Sequence, residues 1–415
     1  MSAEAAADVA VVGLGGLGSA AACWAARMGA RVVGLEQFPL GHDRGGSHDH
    51  SRLIRLAYHH PDYVRLAATA YDVWDEVERA AGEQLVYLTG GIDMFGPDAP
   101  LGRDVYAPAM IEGGAEVELL TGADVSARWP QLAPPGDVPA LAHARAGFVA
   151  SERATAAHQR LAREAGAELL DGCAVTAVRP TGRELLVEAE GRTVRCRSVI
   201  LSAGAWLNEL LEPLGAGLPL TVSQEQVSYL AADDLDRFRP DRFPVWIWHG
   251  ARTYYGFPAF GERAVKAAED QGGPEVTART RSFDPDPDAT ERLHSFVSEL
   301  IPGLGPPVLT KTCLYTMTPD RDFVISPLPG HERLVDAIRT HARRVLGEDI
   351  PALGVPLYAD ARLYAEHGVP TVMYGAGPRT IAESNAKRPD ENLVLEDLRK
   401  ATRIVASAVC DLLRQ

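Results

Sequence analysis

Apolar and polar positions follow two different periods along this chain, and the places where the period switches mark its elements. Val9 to Val12 is a short continuous apolar run between Asp8 and Gly13, the pattern of a strand buried on both faces of a parallel sheet. Ser19 to Met28 is rich in alanine and predicts a helix, stopped by Gly29. Arg31 to Leu35 predicts a second strand, ending at Glu36. From Asp62 to Arg79 apolar residues recur at helical spacing, with Leu66, Ala70, Val73, Trp74 and Val77 on one side. Ser151 to Gly166 predicts another helix. Glu184 to Val199 alternates with the period of a strand, broken by a turn at Glu190 and Gly191, and Val199 to Ala203 predicts a buried strand. Ser282 to Ala289, with its repeated Asp-Pro, reads as a surface loop. Later segments predict a helix over His331 to Gly347, a strand over Thr371 to Tyr374 and a helix over Glu396 to Leu413. There is no internal repeat, and no apolar run is long enough to predict a membrane-spanning helix.

Composition narrows the class. A chain of 415 residues predicts two or three domains at roughly 150 residues each. Its 46% hydrophobic and 23% charged residues suit a globular enzyme with a large core. A net charge of −15 repels phosphate backbones and anionic membranes, which argues against nucleic-acid and membrane partners. Met1 to Asp8 lacks the basic start of a secretory signal. The five cysteines, Cys23, Cys173, Cys196, Cys313 and Cys410, are scattered without a C-x-x-C pair. That spacing argues against a disulfide scaffold or a cysteine zinc site, and a reducing cytoplasm is the expected location. No metal site is expected. Only Lys266, Lys311, Lys387 and Lys400 are lysines among 41 basic residues, so a lysine here marks a position that needs one.

Candidate chemistry begins in the first forty residues. Gly13, Gly15 and Gly18 form G-x-G-x-x-G directly after a strand and at the start of a helix, with Glu36 at the end of the next strand. Gly13 permits the tight turn, Gly15 lets the backbone approach a pyrophosphate, and Gly18 lets helix and strand pack closely. The helix N-terminus supplies free N–H groups and a positive dipole end, and Glu36 would accept hydrogen bonds from ribose hydroxyls. This unit predicts a dinucleotide site and leaves FAD and NAD both open. Gly45 to Tyr58 then reads G-G-S-H-D-H-S-R-L-I-R-L-A-Y. Arg52 and Arg55 would share a face if the segment is helical. They would hold a substrate carboxylate or offset charge on a reduced cofactor, or else be solvated surface charges.

This segment resembles the G-S-S-H-G-D-S-R-I-I-R-like stretch of the monomeric sarcosine oxidase and N-methyltryptophan oxidase family of FAD-dependent amine oxidases. Four further blocks resemble the family in order. They are T-G-G-I-D-M-F-G-P from Thr89, S-A-G-A-W from Ser202, Y-Y-G-F-P-A-F from Tyr254 followed by Lys266, and K-T-C-L-Y-T-M-T-P-D-R-D-F from Lys311. The resemblance covers about Val9 to Pro329. It implies an α/β fold, with a Rossmann-type FAD-binding domain (1–85 and 146–215) interleaved with a mixed-sheet substrate domain (86–145 and 216–330). It also implies oxidation of an amine C–N bond to an imine, with dioxygen reduced to hydrogen peroxide. The expected partners are a small-molecule amine and dioxygen, in a monomer or homodimer.

Residue roles follow from the same resemblance. Gly13, Gly15, Gly18, Glu36, Ser47, His48, Ser51, Arg52, Val175, Gly204 and Trp206 would contact FAD, Val175 through its backbone. Cys313 matches the cysteine that bonds covalently to the flavin. Lys266 matches the lysine that activates dioxygen, with Arg52 bridging toward it. Arg55 would pair with the substrate carboxylate, and Tyr255 and Tyr315 would line the cavity. Asp270 stands where sarcosine-type members carry histidine, which favours a cationic or more polar substrate. Trp246 and Trp248 either shape a larger cavity or belong to the core.

The resemblance breaks after Pro329. The family's G-F-S-G-H-G-F-K-F-like loop is missing. An atypical α/β tail over 331–415 resembles instead the C-terminal end of the metallopeptidase family that includes deacylases and desuccinylases. The resemblance runs through D-A-R-L-Y-A-E-H-G-V-P-T from Asp360 and through Ala386 to Glu391, where Lys387 replaces a metal-binding histidine. One degenerate strand end cannot build a dinuclear zinc site, which disfavours a hydrolase. The tail would either replace the missing elements or leave the flavin site open. The rival expectations are a catalytically impaired flavoprotein or interaction protein, and an NAD-dependent dehydrogenase.

Overall fold

A computed structural model describes residues 3–181, 184–326, 333–347, 396, 399–405 and 407. The chain divides into two compact units, Met1–Asp322 and Phe323–Gln415.

The first unit is mixed α/β. Four parallel strands, in the order Glu168–Leu170, Val32–Leu35, Val9–Val12 and Ser198–Leu201, form the sheet that the opening pattern predicts. Helices Gly16–Arg27 and Ser151–Glu164 pack against each other beside this sheet. Residues Val11, Leu14, Cys23 and Leu161 belong to their shared core. Glu184–Ala189 and Arg192–Cys196 form the predicted hairpin, with Gly191 at φ +69° in its turn. Val175–Thr181 and Ala3–Ala6 complete that meander.

The larger sheet joins strands from two distant stretches, 91–143 and 221–317. Val245–His249 runs parallel to Gly91–Phe95 and antiparallel to Thr253–Gly256, so the sheet is mixed. Thr221–Ala232 pairs with both Val265–Asp270 and the long strand Leu304–Met317. Phe238, Phe243 and Trp246 are fully buried against this sheet and helix Pro287–Leu300. Each such side chain contributes on the order of 2 kcal/mol.

Two expectations need correction. Helix Pro61–Ala81 forms where the spacing predicts it, started by Pro61 and capped by His60, and ended by Gly82 at φ +68°. Its buried face, however, is Val64, Tyr71 and Val77, with Ala67, Ala68 and Trp74 half-buried, whereas Leu66 and Val73 are exposed. Tyr71 anchors this face because its hydroxyl reaches the Arg145 carbonyl at 2.8 Å. The stripe of Leu66, Ala70, Val73, Trp74 and Val77 leaves it out. Ser198–Leu201 is an edge strand and is not fully buried; Ile200 is exposed.

In the second unit, Arg333–Leu346 is helical, within the predicted His331 to Gly347. Residues 396, 399–405 and 407 are also helical. The predicted strand Thr371 to Tyr374 and the Asp360 and Ala386 motifs lie outside the described residues. Among the described residues, no helix is long and apolar enough to cross a membrane.

Candidate active site

The glycine loop has the geometry a dinucleotide needs. A Cβ on Gly18 would lie 1.8 Å from the Gly13 carbonyl oxygen, and one on Gly13, at φ +88°, would lie 2.6 Å from that of Ser202. No side chain caps the helix that follows, although Ser47 Oγ accepts from the Gly16 N–H at 2.9 Å. Glu36 is buried and accepts from the N–H groups of Leu14 (2.8 Å) and Phe38 (3.1 Å). Burial raises its pKa, but these bonds and His42 outweigh burial and hold it below the usual range. It stays ionised at the strand end, as a ribose acceptor must.

The S-A-G-A-W block closes over this loop. Ser202 Oγ donates to the carbonyls of Val12 (3.0 Å) and Gly13 (2.9 Å), Gly204 takes φ +52°, and Trp206 packs edge-on to Phe38. Val175 begins the meander strand beside a register shift. His48 is buried with Nε2 unpartnered, and burial lowers its pKa. An uncapped helix start, a cradle that any Cβ would fill and an orphaned buried nitrogen fit a bound FAD.

The expected catalytic and substrate residues converge. Arg52, Arg55, Tyr255, Lys266, Asp270 and Tyr315 all line one cavity of about 350 Å³. The arginines reach it without a shared helix, because Arg52–Ile54 is a strand paired with Gly147–Val149. Arg52 donates to the carbonyls of Ser51 (3.0 Å) and Gly46 (2.7 Å). Arg55 lies over Tyr58 with its Nη1 buried and unpartnered. The Tyr255 and Tyr315 hydroxyls are 3.3 Å apart. Burial raises the Asp270 pKa, against the pull of Arg55 and Arg321.

Cys313 lies outside the cavity lining, buried in the long strand. Burial pushes its thiol up, although Arg52, Lys266 and Arg281 pull the other way. Trp246 is core, and Trp248 packs on Phe296; neither lines the cavity.

Lys266 is 2% exposed, and its surroundings are more elaborate than the sequence suggests. Its Nζ lies 2.5 Å from Asp49 Oδ2 and donates to the Ser51 carbonyl at 2.8 Å. Burial lowers its pKa to about 8. The other Asp49 oxygen accepts from Tyr229 (2.6 Å) and Lys311 (3.1 Å). Helix Ser151–Glu164 holds this loop, since Ser151 Oγ donates to the Asp49 carbonyl and Glu152 accepts from its N–H.

A second buried acid, Asp93, accepts from His249 at 2.8 Å and lies 3.7 Å from His143 and 3.9 Å from Arg55. His249 and Tyr106 also line the cavity. Asp49, Asp93, His249, Tyr229 and Arg281 were not singled out from sequence. The nearest signal was the charge of Asp49 inside the basic segment, but its partners lie far along the chain. Arg281 joins the Arg44 carbonyl to Thr312, beside Cys313.

Comparison with known proteins places the chain in a family. A family model described as FAD dependent oxidoreductase matches residues 8–341. A monomeric sarcosine oxidase from Streptomyces avermitilis is 34% identical over 331 residues, covering 78% of this chain and 85% of the relative. N-methyl-L-tryptophan oxidase from Escherichia coli is 30% identical over 352 residues, covering 82% of this chain and 93% of the relative. Among solved structures, the open form of NikD matches with a TM-score of 0.67 at 27% identity, covering 75% of this chain and 82% of that one. NikD is described as an unusual amino acid oxidase essential for nikkomycin biosynthesis.

Proposed function

Because the chain belongs to the FAD dependent oxidoreductase family, we propose that it oxidises the C–N bond of a secondary amine, an N-methyl amino acid or a cyclic amino acid. The products are an imine and hydrogen peroxide. The observation that carries this reading is the convergence of Arg52, Arg55, Tyr255, Lys266, Asp270 and Tyr315 on one cavity. FAD held there would supply the hydride acceptor for the carbon beside the nitrogen and the two electrons that dioxygen needs. The relatives' names, sarcosine and N-methyl-L-tryptophan, support an N-methylated substrate.

The chain's own groups divide the work. Residues 1–85 and 146–215 hold FAD, through Gly13, Gly15, Gly18, Glu36, Ser47, His48, Ser51, Arg52, Val175, Gly204 and Trp206. Residues 86–145 and 216–330 form the substrate side. Arg55 offers a substrate carboxylate a buried nitrogen that makes no hydrogen bond within the protein, 3.9 Å from Asp93. Tyr255 and Tyr315 line the cavity that takes the amine. Asp270 favours a cationic substrate, and its attraction grows as pH rises through its raised pKa. Lys266 holds a positive charge where dioxygen becomes negative. Cys313 is the covalent anchor, and activating its buried thiol requires a nearby positive charge.

The test is the visible spectrum of the purified protein before and after acid precipitation, followed by an amine screen read by peroxide. Yellow colour in the pellet, released to the supernatant in Cys313→Ala, is expected. Flavin in the wild-type supernatant would remove the covalent anchor. A flavin-loaded protein that forms no peroxide with any amine would overturn the oxidase reading.

A further inference from the structure

The dioxygen step has one group too many around its lysine. An ammonium buried as deeply as Lys266 tends to lose its proton, because desolvation disfavours the charged form. Phe257, with its ring 4.6 Å from Nζ, adds little against that cost, and Arg52 repels the charge. Ser51 accepts two hydrogen bonds from Nζ, one at its carbonyl (2.8 Å) and a longer one at Oγ (3.3 Å). The only carboxylate that reaches Nζ among the described residues is Asp49. Asp49 is itself 2% exposed and adopts φ +83°, a conformation that L-residues rarely hold. The fold keeps it there through the first turn of helix Ser151–Glu164.

A carboxylate so close would also cancel the charge that dioxygen needs. Lys311 counters this. It shares the other Asp49 oxygen, lies over the Tyr229 ring, and reaches outward to Glu262, which also pairs with His50 at 3.0 Å. Burial holds Tyr229 and His48 in their neutral forms, and Cys313 is uncharged both as a buried thiol and as the flavin anchor. Lys266 is buried and Lys311 and Arg52 are half-buried; these three cations outnumber Asp49 and the Glu262 carboxylate at the outer end of Lys311, so the cluster stays cationic.

We propose that Asp49 is a positioning residue for the dioxygen step, anchoring Lys266 as a fixed ammonium while Lys311 offsets the negative charge. This rests on the assignment of Lys266 to dioxygen. Reoxidation consumes dioxygen, two electrons from the reduced flavin and two protons, and releases hydrogen peroxide. Asp49 takes no part in the bond changes and acts only through the lysine.

The test uses the flavin-loaded full chain with lysines isotope-labelled at Cε. With four lysines in the sequence, Lys266→Met identifies the Lys266 signal by its disappearance. Flavin is reduced anaerobically with dithionite and mixed with oxygenated buffer, so no substrate is needed. In wild type the Lys266 signal should titrate near 8, with reoxidation slowing as pH rises through the same point. Asp49→Gly suits the backbone, and Asp49→Asn keeps the size. Both should lower the Lys266 midpoint by about one pH unit and so slow reoxidation by about twofold at pH 7 and by about tenfold at pH 9 and above. An unchanged midpoint, or an unchanged reoxidation profile, in both variants overturns the proposal. A slow Lys266→Met beside a normal Asp49→Gly overturns the role of Asp49 alone. A Lys266→Met enzyme that reoxidises at the wild-type rate overturns the dioxygen assignment, and the proposal with it.

Discussion

Arg55 keeps a buried guanidinium nitrogen without a hydrogen bond, 3.9 Å from Asp93. Such a group is costly unless something else completes it, and a substrate carboxylate does so. Lysine would replace a planar fork with a point charge. Arg55→Lys should therefore raise KM for an amino-acid substrate by roughly 10- to 100-fold, the loss of a charge-assisted hydrogen bond. The change in kcat should be smaller; steady-state kinetics on a substrate from the amine screen checks both. At this scale the sequence was most informative where a residue type is rare or sits in a motif. Lys266 and the arginine pair stood out for that reason, and all three line the one cavity. Asp49 and Asp93 did not stand out, because an aspartate in a loop or strand carries no mark of its burial. Asp49 meets Lys266 and Lys311 only after the chain has folded over more than two hundred residues.

Gly18 shows how an element carries the chemistry. The helix Gly16–Arg27 starts so close to the preceding strand that a Cβ at Gly18 would strike the Gly13 carbonyl at 1.8 Å, and backbone cannot yield as a side chain does. Gly18→Ala should give folded protein that retains little flavin, measured as the ratio of flavin to protein absorbance. Full flavin content in this variant would contradict the assigned loop. The elements of the dinucleotide-binding unit were legible because each has its own period, from the run at Val9 to the alternation after Glu184. The large mixed sheet was expected from the family resemblance but not from periodicity, since its pairing of Val245–His249 with Gly91–Phe95 is parallel and spans a long separation. Periodicity reports a strand but not its neighbour. The helix Pro61–Ala81 shows the other limit, because a tyrosine held by one hydrogen bond rotated the buried face.

Across the whole molecule, buried carboxylates tie stability to pH. Burial opposes ionisation of Asp93, yet the His143 and His249 rings and the Arg55 charge hold its pKa well below the usual range. Its folded-state pKa thus lies below its unfolded one. The stabilisation is complete above the unfolded value and is lost as the pH falls toward the folded one. Asp93→Asn should cost on the order of 3 kcal/mol at neutral pH, by leaving Arg55 without its countercharge. Its melting temperature should also fall less than that of wild type between about pH 5 and about pH 2, as followed by thermal unfolding.

The interleaving of the first unit has a consequence for synthesis. The glycine loop and Glu36 leave the ribosome early, and Asp49 follows at once. The lysines that neutralise Asp49 arrive on strands Val265–Asp270 and Leu304–Met317. Until then the nascent chain carries an uncompensated acid that favours water over the interior. Final collapse of this unit should wait for those strands, so a ribosome stalled before residue 311 should display a chain that proteases still cut near Asp49.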